Sequence, residues 1–438
     1  MLNKQTTHES IIAILSIMSR ILVLLLGKVV SCYFQRFDLS TSLSPIKSPF
    51  KYLESWDTTH FINISNHGYS HEHSLPFFPL VPLIVRTLNF SDYLTTAVIL
   101  SNIAFIFSSL IFYKLSLLYF DERFSLISTI FFICNPASII YSAYYTESIF
   151  TLIFLLALFY TIKGKLFRAS VLFAVSTFCR SNAIFFVLFH KILYAPIILL
   201  PFGLFQLYSL LLIARHNASF RVFIPYSMIQ SKYWDQGFLR FIRIRHTPNI
   251  LIGLPVILIS SFFLFQYFSL SFKRNSKKRM VENCRETTVS DKENDRNSSL
   301  KRKATKGPVD DIVHFYDVKV NLRYEKGEFA DKIRYKPSTL SNAIFLVNQV
   351  LNYEPLHFNG SCILKLALIL LFQVLMLVFF VHWNIAMRFI AYNPFIYWSC
   401  AYHTLKYHRT RLFNFTCTFF AVYGILYIIM FSCFYPPP

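Results

Sequence analysis

Apolar runs on the order of 20 residues recur along this chain, each the length of helix that crosses a hydrocarbon layer about 30 Å thick. They fall at 10–33, 93–113, 124–144, 148–162, 166–189, 192–213, 249–272, 362–381, 388–404 and 412–434. A water-soluble core has no need of such repetition. Backbone groups in lipid must be bonded within their own segment, so each run predicts a helix and the chain predicts an all-α, polytopic membrane helical bundle. Composition agrees, with 55% hydrophobic residues, 15% charged residues and a mean hydropathy of +0.46. The first run carries Arg20 and lacks a small-residue cleavage site, which predicts an uncleaved span.

Polar stretches divide the chain. Residues 1–272 form a membrane bundle with loops 34–92 and 214–248, residues 273–361 form a basic polar insert, and 362–438 return to the membrane. The net charge of +21 sits largely in short inter-span loops and in the insert. That distribution points to positive-inside topology and away from nucleic acid. The basic loops 114–123, 163–168 and 406–411 and the insert belong on the cytosolic side; loops 34–92 and 214–248 then share the lumenal side. This parity works only if 166–190 is a broken hairpin that does not cross, with Cys179-Arg180-Ser181-Asn182 at its tip. Few hydrophobes precede Ile312 in the insert, so 273–310 is expected to be disordered and 311–361 to be loop. The eight cysteines are scattered, with no CxxC spacing, and predict neither a zinc site nor a disulfide framework.

The loop that opens at Trp56-Asp57 is the richest in chemistry. It holds a carboxylate, His60, His67, His71 and His73, and a set of aromatics. Asp57 is a candidate general base at a membrane–water boundary; as Asp-Thr-Thr-His it also suits a helix N-cap. Trp56 suits an interfacial anchor. The histidines lack metal-ligand spacing, so His60 is expected to hydrogen-bond or pack, and no metal ligand set is assigned. Arg180 and Arg388 lie within apolar runs. Such cations default to functional-site hypotheses, and Arg holds phosphate bidentately; an ion pair of Arg180 with Glu147 is the competing reading. Asn135 and Glu147 interrupt apolar segments. Gln230, Tyr233, Trp234 and Asp235 form a stacking and hydrogen-bonding set suited to a sugar ring, or to an amphipathic interfacial helix.

Five blocks occur in a fixed order: WDTTHFINISNHGYSHEHSLPFFPLVPL, NPASIIYSAYYTESIF, CRSNAI, YSMIQSKYWDQGFLRF with HTPNILIGLPV, and HWNIAMRFIAYNPFIYWSCAYH. Together they resemble the PIG-V family, mannosyltransferases of the endoplasmic reticulum that add the second mannose in GPI-anchor assembly. Two departures are the longer basic insert and Leu80, where the family has glycine after Phe-Phe-Pro. The resemblance implies a GT-C glycosyltransferase fold with a lumenal active site in a multi-pass protein of the endoplasmic reticulum membrane. It implies dolichol-phosphate mannose as donor, a mannosyl-glucosaminyl-phosphatidylinositol lipid as acceptor, and an α-1,6 linkage. Trp56-Asp57 matches the family's acidic motif, with Asp57 as base, and Arg180 or Arg388 would hold the donor phosphate. A β-linked donor and an α product imply direct inverting displacement. No cofactor is called for; no DxD motif is present, and metal dependence and an accessory membrane subunit are left open. The alternatives are a GT-C enzyme with another lipid-linked or protein acceptor, and a lipid flippase or transporter.

Overall fold

The protein is described here by a computed structural model covering residues 2–38, 46–216, 224–296, 361–406 and 411–435, with 273–296 described by backbone alone. Two units are distinguished: Met1–Gln266 with Glu354–Pro438, and Tyr267–Tyr353. The described residues are α-helical with 3₁₀ turns and contain no strand. In chain order the helices are α1 (Leu2–Tyr33), α2 (Asp57–His67), α3 (Leu80–Leu88), α4 (Tyr93–Ser116), α5 (Glu122–Ile133), α6 (Glu147–Ile162) and α7 (Leu166–Thr177). There follow α8 (Ala195–His216), α9 (Pro225–Trp234), α10 (Thr247–Arg296), α11 (Ser361–Phe379), α12 (Ala386–Ile390), α13 (Pro394–Lys406) and α14 (Arg411–Ser432). Among the described residues, 6 helices are long and apolar enough to cross a membrane: Thr7–Tyr33, Tyr93–Ser116, Ile192–Arg215, Thr247–Phe272, Ser361–Phe379 and Asn414–Ser432. Helices α6 and α7 are shorter apolar helices. This is a polytopic helical membrane protein.

Two apolar runs are broken where continuous helices are expected. In the run 124–144, α5 stops at Ile133, and residues 135–146 proceed as successive turns. Pro136 has no N–H and disfavours helix at the residue before it. The turns are tolerated because they are buried in protein, with Tyr141, Tyr144 and Tyr145 all at 0% exposure. Side chains from neighbouring helices bond the backbone that the helix would have satisfied. Ser101 donates to the Ala143 carbonyl at 3.0 Å, and Ser148 donates to the Tyr141 carbonyl at 2.6 Å. The run 388–404 is likewise split, between α12 and α13. Pro394 opens α13, and the Asn393 side chain accepts from the Phe395 N–H at 3.1 Å, as a capping residue does.

The third break lies at the tip of 166–190. Helix α7 ends at Thr177, Arg180 is extended (φ −152°, ψ 144°), and Ser181–Phe189 continue as 3₁₀ helix. The chain then doubles back: His190 comes within 3.4 Å of Ser170 Oγ and 3.5 Å of Thr161 Oγ1, near the start of α7 and the end of α6. Phe173 and Phe189 stack across the hairpin at 5.6 Å. In the insert, the disorder expected from residue 273 gives way to helix, because α10 runs on to Arg296. Lys, Arg, Met and Glu are good helix formers, and an existing span extends without a new nucleation step. Residues 297–360, the remainder of the expected disordered and loop segment, lie outside the described residues.

In the first unit, helices α4, α6, α7 and α8 pack in sequence, while α1 joins α4 and α14. Arg20, on α1, is 2% exposed. It donates to the Ser138 carbonyl at 2.8 Å and to Ser142 Oγ at 3.1 Å, bonds Ser138 Oγ as well, and lies 3.8 Å over the Phe105 ring. Arg20 thus fastens α1 to the irregular segment. Each charge-assisted bond contributes about 1.5–3 kcal/mol, so Arg20→Ala should lower the unfolding free energy by on the order of 2–4 kcal/mol, read as a fall in the unfolding temperature of detergent-solubilised protein. Arg20→Lys should recover only part of the loss, since Lys lacks the planar fork.

Candidate active site

The three breaks and the first loop bring four charged side chains together. Residues 135–146 deliver Glu147 at the start of α6, the α7 tip delivers Arg180, α12 delivers Arg388, and the first loop delivers Asp57. Asp57 is the first residue of α2. Trp56 holds the N-cap position with φ 53°, ψ −121° and makes no side-chain cap bond. The positive φ of Trp56 is costly for a bulky residue; tertiary bonds hold it. Trp56 Nε1 donates to the Tyr435 carbonyl at 2.9 Å, its ring lies 5.3 Å from that of Phe434, and the Asp57 N–H donates to Tyr145 Oη at 3.2 Å. The Asp57 carboxylate does not cap the helix at the N-cap position; it reaches Arg388.

The four groups alternate in sign. Arg388 Nη2 donates to Asp57 Oδ2 at 2.7 Å, and Arg388 Nε donates to Glu147 Oε1 at 2.9 Å. Arg180 Nη1 meets the same Glu147 Oε1 at 2.5 Å and donates to Thr146 Oγ1 at 3.1 Å. Side-chain exposure falls to 3% at Glu147, against 13% and 15% at the two arginines, and rises to 26% at Asp57. The order is therefore Asp57–Arg388–Glu147–Arg180, neutral in sum, with its middle carboxylate sealed and its outer carboxylate open. The Arg388 guanidinium also lies 4.8 Å over the Tyr145 ring.

This row forms one wall of a cavity of about 200 Å³. Asp57, Arg180 and Arg388 face Gln230, Trp234 and Tyr226 across it, with Phe77 and Phe78 completing the lining. The polar stretches 34–92 and 214–248 thus meet at one place. Helix α9 is docked by Ile229 against Leu75 and Ile213, by Lys232 on Glu72 at 2.7 Å, and by a 2.9 Å bond between His382 Nε2 and the Trp234 carbonyl. Trp234 stands edge-on to Phe77 at 5.9 Å.

Comparison with known proteins bears on this arrangement. A family model described as Mannosyltransferase (PIG-V) matches residues 9–192 and 184–438. The chain belongs to the PIG-V mannosyltransferase family. It is 28% identical over 285 residues to GPI mannosyltransferase 2 of Drosophila pseudoobscura pseudoobscura, covering 49% of this chain and 63% of that protein. It is 25% identical over 311 residues to GPI mannosyltransferase 2 of Cryptococcus neoformans, covering 59% and 73%, and 26% identical over 283 residues to human GPI alpha-1,6-mannosyltransferase 2, covering 49% and 57%. The match to the Drosophila protein thus spans less than two thirds of that protein's length. No solved structure matches the chain.

Of the candidates within this PIG-V chain, Asp57, Arg180, Arg388, Gln230 and Trp234 line the cavity, and Glu147 lies directly behind the arginines. Trp56 sits outside the lining and sets the backbone that aims Asp57. His60 is stacked on Phe77 at 4.5 Å and stands 5.4 Å from His73, supporting the wall from behind. Asn135 is placed elsewhere: its Nδ2 donates to the Phe132 carbonyl at 2.9 Å, closing the end of α5. An Asn one residue before Pro136 is a helix-stop signal, and that reading describes it. Tyr233 and Asp235 bond Glu72 and Arg243 on the loop surface. Residues not singled out for the site from the sequence include Thr146, Tyr226, Gln236 and Asn182 on the lining and Tyr145 under Arg388; Thr146, Tyr145 and Asn182 lie within two residues of Glu147 or Arg180, and that proximity was the available signal. Among the described residues, no group of three or more His, Cys, Asp or Glu is placed to hold a metal ion.

Two outcomes follow from the packing. Glu147→Gln leaves two guanidinium groups facing each other without their shared anion. Breaking a buried pair in this way costs about 3–5 kcal/mol, so the variant should unfold at markedly lower temperature and accumulate poorly. His60 has its pKa lowered, first by burial and then by His73, against the opposing pull of Asp57. The folded protein therefore favours neutral His60, and its contribution to stability is complete above about pH 6.5, the unfolded value. That contribution declines as pH falls from there toward the depressed folded value. His60→Gln should lose less unfolding temperature than wild type between pH 7.5 and pH 5.5.

Proposed function

We propose that this protein transfers mannose from dolichol-phosphate mannose to a GPI precursor that bears one mannose, forming an α-1,6 linkage, at the lumenal face of the endoplasmic reticulum membrane. The observation that carries the reading is the Asp57–Arg388–Glu147–Arg180 row opening on a polar cavity between two loops, in a chain of the PIG-V family. Similarity to relatives named GPI mannosyltransferase 2 and GPI alpha-1,6-mannosyltransferase 2 supports the choice of reaction and linkage.

Each residue has a distinct task. Arg388 is bonded to both carboxylates, so it acts as a strut that aims Asp57. Asp57 Oδ2 is held by Arg388, and Asp57 lines the cavity, where its carboxylate accepts the proton of the attacking hydroxyl. Arg180 uses only Nη1 toward Glu147 and Thr146 among the described residues, which leaves Nε and Nη2 for the donor phosphate. The acceptor oxygen attacks the anomeric carbon from the face opposite the phosphate. The bond from that carbon to the phosphate oxygen breaks, the phosphate departs with the electron pair, and Arg180 stabilises its growing charge. Trp234 and Gln230 hold a sugar ring by stacking and hydrogen bonding. One displacement inverts a β-linked donor to an α product with no covalent intermediate. Bringing both sugars to this wall in fixed orientation supplies much of the acceleration.

The test is a transfer assay in microsomes with a polyprenyl-phosphate mannose donor and the monomannosylated acceptor. Asp57→Asn should keep the fold, since Asn retains the shape and one bond to Arg388, yet lose about 10²–10⁴-fold in turnover. Arg180→Lys should raise KM for the donor more than for the acceptor. Near-normal turnover by Asp57→Asn overturns the base assignment. Accumulation of a GPI intermediate with no mannose, or with two, when the gene is lost overturns the choice of acceptor.

A further inference from the structure

Asn182 stands apart from every other polar residue on the cavity wall. It is 5% exposed and lines the cavity, two residues beyond Arg180. Neither its side-chain oxygen nor its side-chain nitrogen has a hydrogen-bond partner among the described residues. A buried carboxamide without partners costs free energy, and in apolar surroundings such groups almost always find a neighbour. The usual structural uses do not apply. The 3₁₀ segment Ser181–Phe189 has Arg180 as its N-cap and no side-chain cap bond, so Asn182 is not holding the helix start. Among the described residues it bonds no carbonyl on a neighbouring helix, the ordinary role of Asn in a membrane bundle. The contrast with Asn135, Asn102 and Asn393 is direct, because each of those donates to a backbone carbonyl.

We propose that Asn182 is the specificity-determining residue of the sugar subsite, reading a pair of adjacent hydroxyls on a hexose ring. A carboxamide presents one acceptor and one donor side by side. A vicinal diol offers the complement: one hydroxyl donates to the amide oxygen, and its neighbour accepts from the amide nitrogen. The residue type fits its position. Asp at 182 would add a third carboxylate to the site, two residues from Arg180, and compete with the phosphate for that guanidinium. The neutral amide leaves Arg180 to the anion and takes the neutral hydroxyls. Trp234 and Gln230, also on the lining, are the groups proposed to stack on and bond the same ring. The inference rests on the mannosyl-transfer reading and adds which side chain of the site distinguishes one hexose from another.

A site built to bond a substrate hydroxyl rejects the analogue that lacks it far more strongly than an apolar pocket rejects an extra group, because buried polar atoms are then left unpaired. The experiment compares wild type, Asn182→Leu and Asn182→Asp, each with the natural donor and acceptor and with singly deoxygenated versions of the donor mannose and of the acceptor mannose. Wild type should discriminate against at least one deoxy sugar by roughly 10²-fold or more in kcat/KM. Asn182→Leu should lose activity on the natural sugar and discriminate against the same deoxy sugar by no more than about 3-fold. Whether the collapsing penalty belongs to the donor or the acceptor series tells which ring Asn182 reads. Thermal unfolding without substrate gives the second readout. Because the carboxamide bonds nothing among the described residues, Asn182→Leu should unfold within about 2 °C of wild type or above it. Retention of the full deoxy-sugar discrimination by Asn182→Leu overturns the proposal. So does failure of both variants to fold, which makes the residue structural. Absence of mannose transfer by wild type under the same conditions instead overturns the broader reading of the reaction.

Discussion

A single buried carboxylate holds this protein's site together. Glu147 is shared between Arg180 and Arg388, and those guanidinium groups reach it from segments far apart in the chain. A charge at 3% exposure in a membrane bundle is tolerable only when paired, and pairing with two cations leaves a surplus of positive charge. Asp57 balances that surplus at the open end of the row. The catalytic carboxylate proposed here is thus the open end of the same charged row that Glu147 anchors. Its orientation follows from the fold, through Arg388 on the carboxylate and Tyr145 on the Asp57 N–H.

The backbone obeys the same logic. Lipid demands helix, but a polar site demands polar groups aimed inward from several directions. The chain reconciles these by breaking three apolar runs, at 135–146, 178–181 and 391–393, burying the first and last in protein and setting the middle one at the cavity wall. The irregular backbone is then bonded by Arg20, Ser101, Ser148 and Asn393 in place of the helical ladder. Each break places at its edge a charged residue of the row: Glu147, Arg180 or Arg388. Irregular backbone within the apolar runs and the charged row therefore have one cause.

Local pattern explains which parts of the site could be read in advance. Arg180, Glu147 and Arg388 are charged residues in apolar surroundings, and their cost in lipid marks them without any structure. Asp57 stands out because it opens a polar loop, yet its sequence fits an N-cap equally well; only the position of Trp56 at the cap and Arg388 beside the carboxylate separates the two uses. Asn135 shows the opposite failure. An Asn in an apolar run looks functional, but it closes the α5 end, because the following proline stops the helix there. Asn182 was named only as part of the hairpin tip, since one neutral amide beside an arginine carries no distinctive pattern.

The sequence by itself determined the all-helical membrane architecture, the positions of the polar loops, the broken hairpin at Arg180 and the family, because hydrophobic run length and residue order are local properties of the chain. The tertiary structure decided which charges pair, that one carboxylate serves two arginines, that the loops at 34–92 and 214–248 share a cavity, and that the Asn182 amide is left without a partner among the described residues. Those are relations between residues tens to hundreds of positions apart. They depend on where packing places each helix end, and hydropathy along the chain carries no record of it.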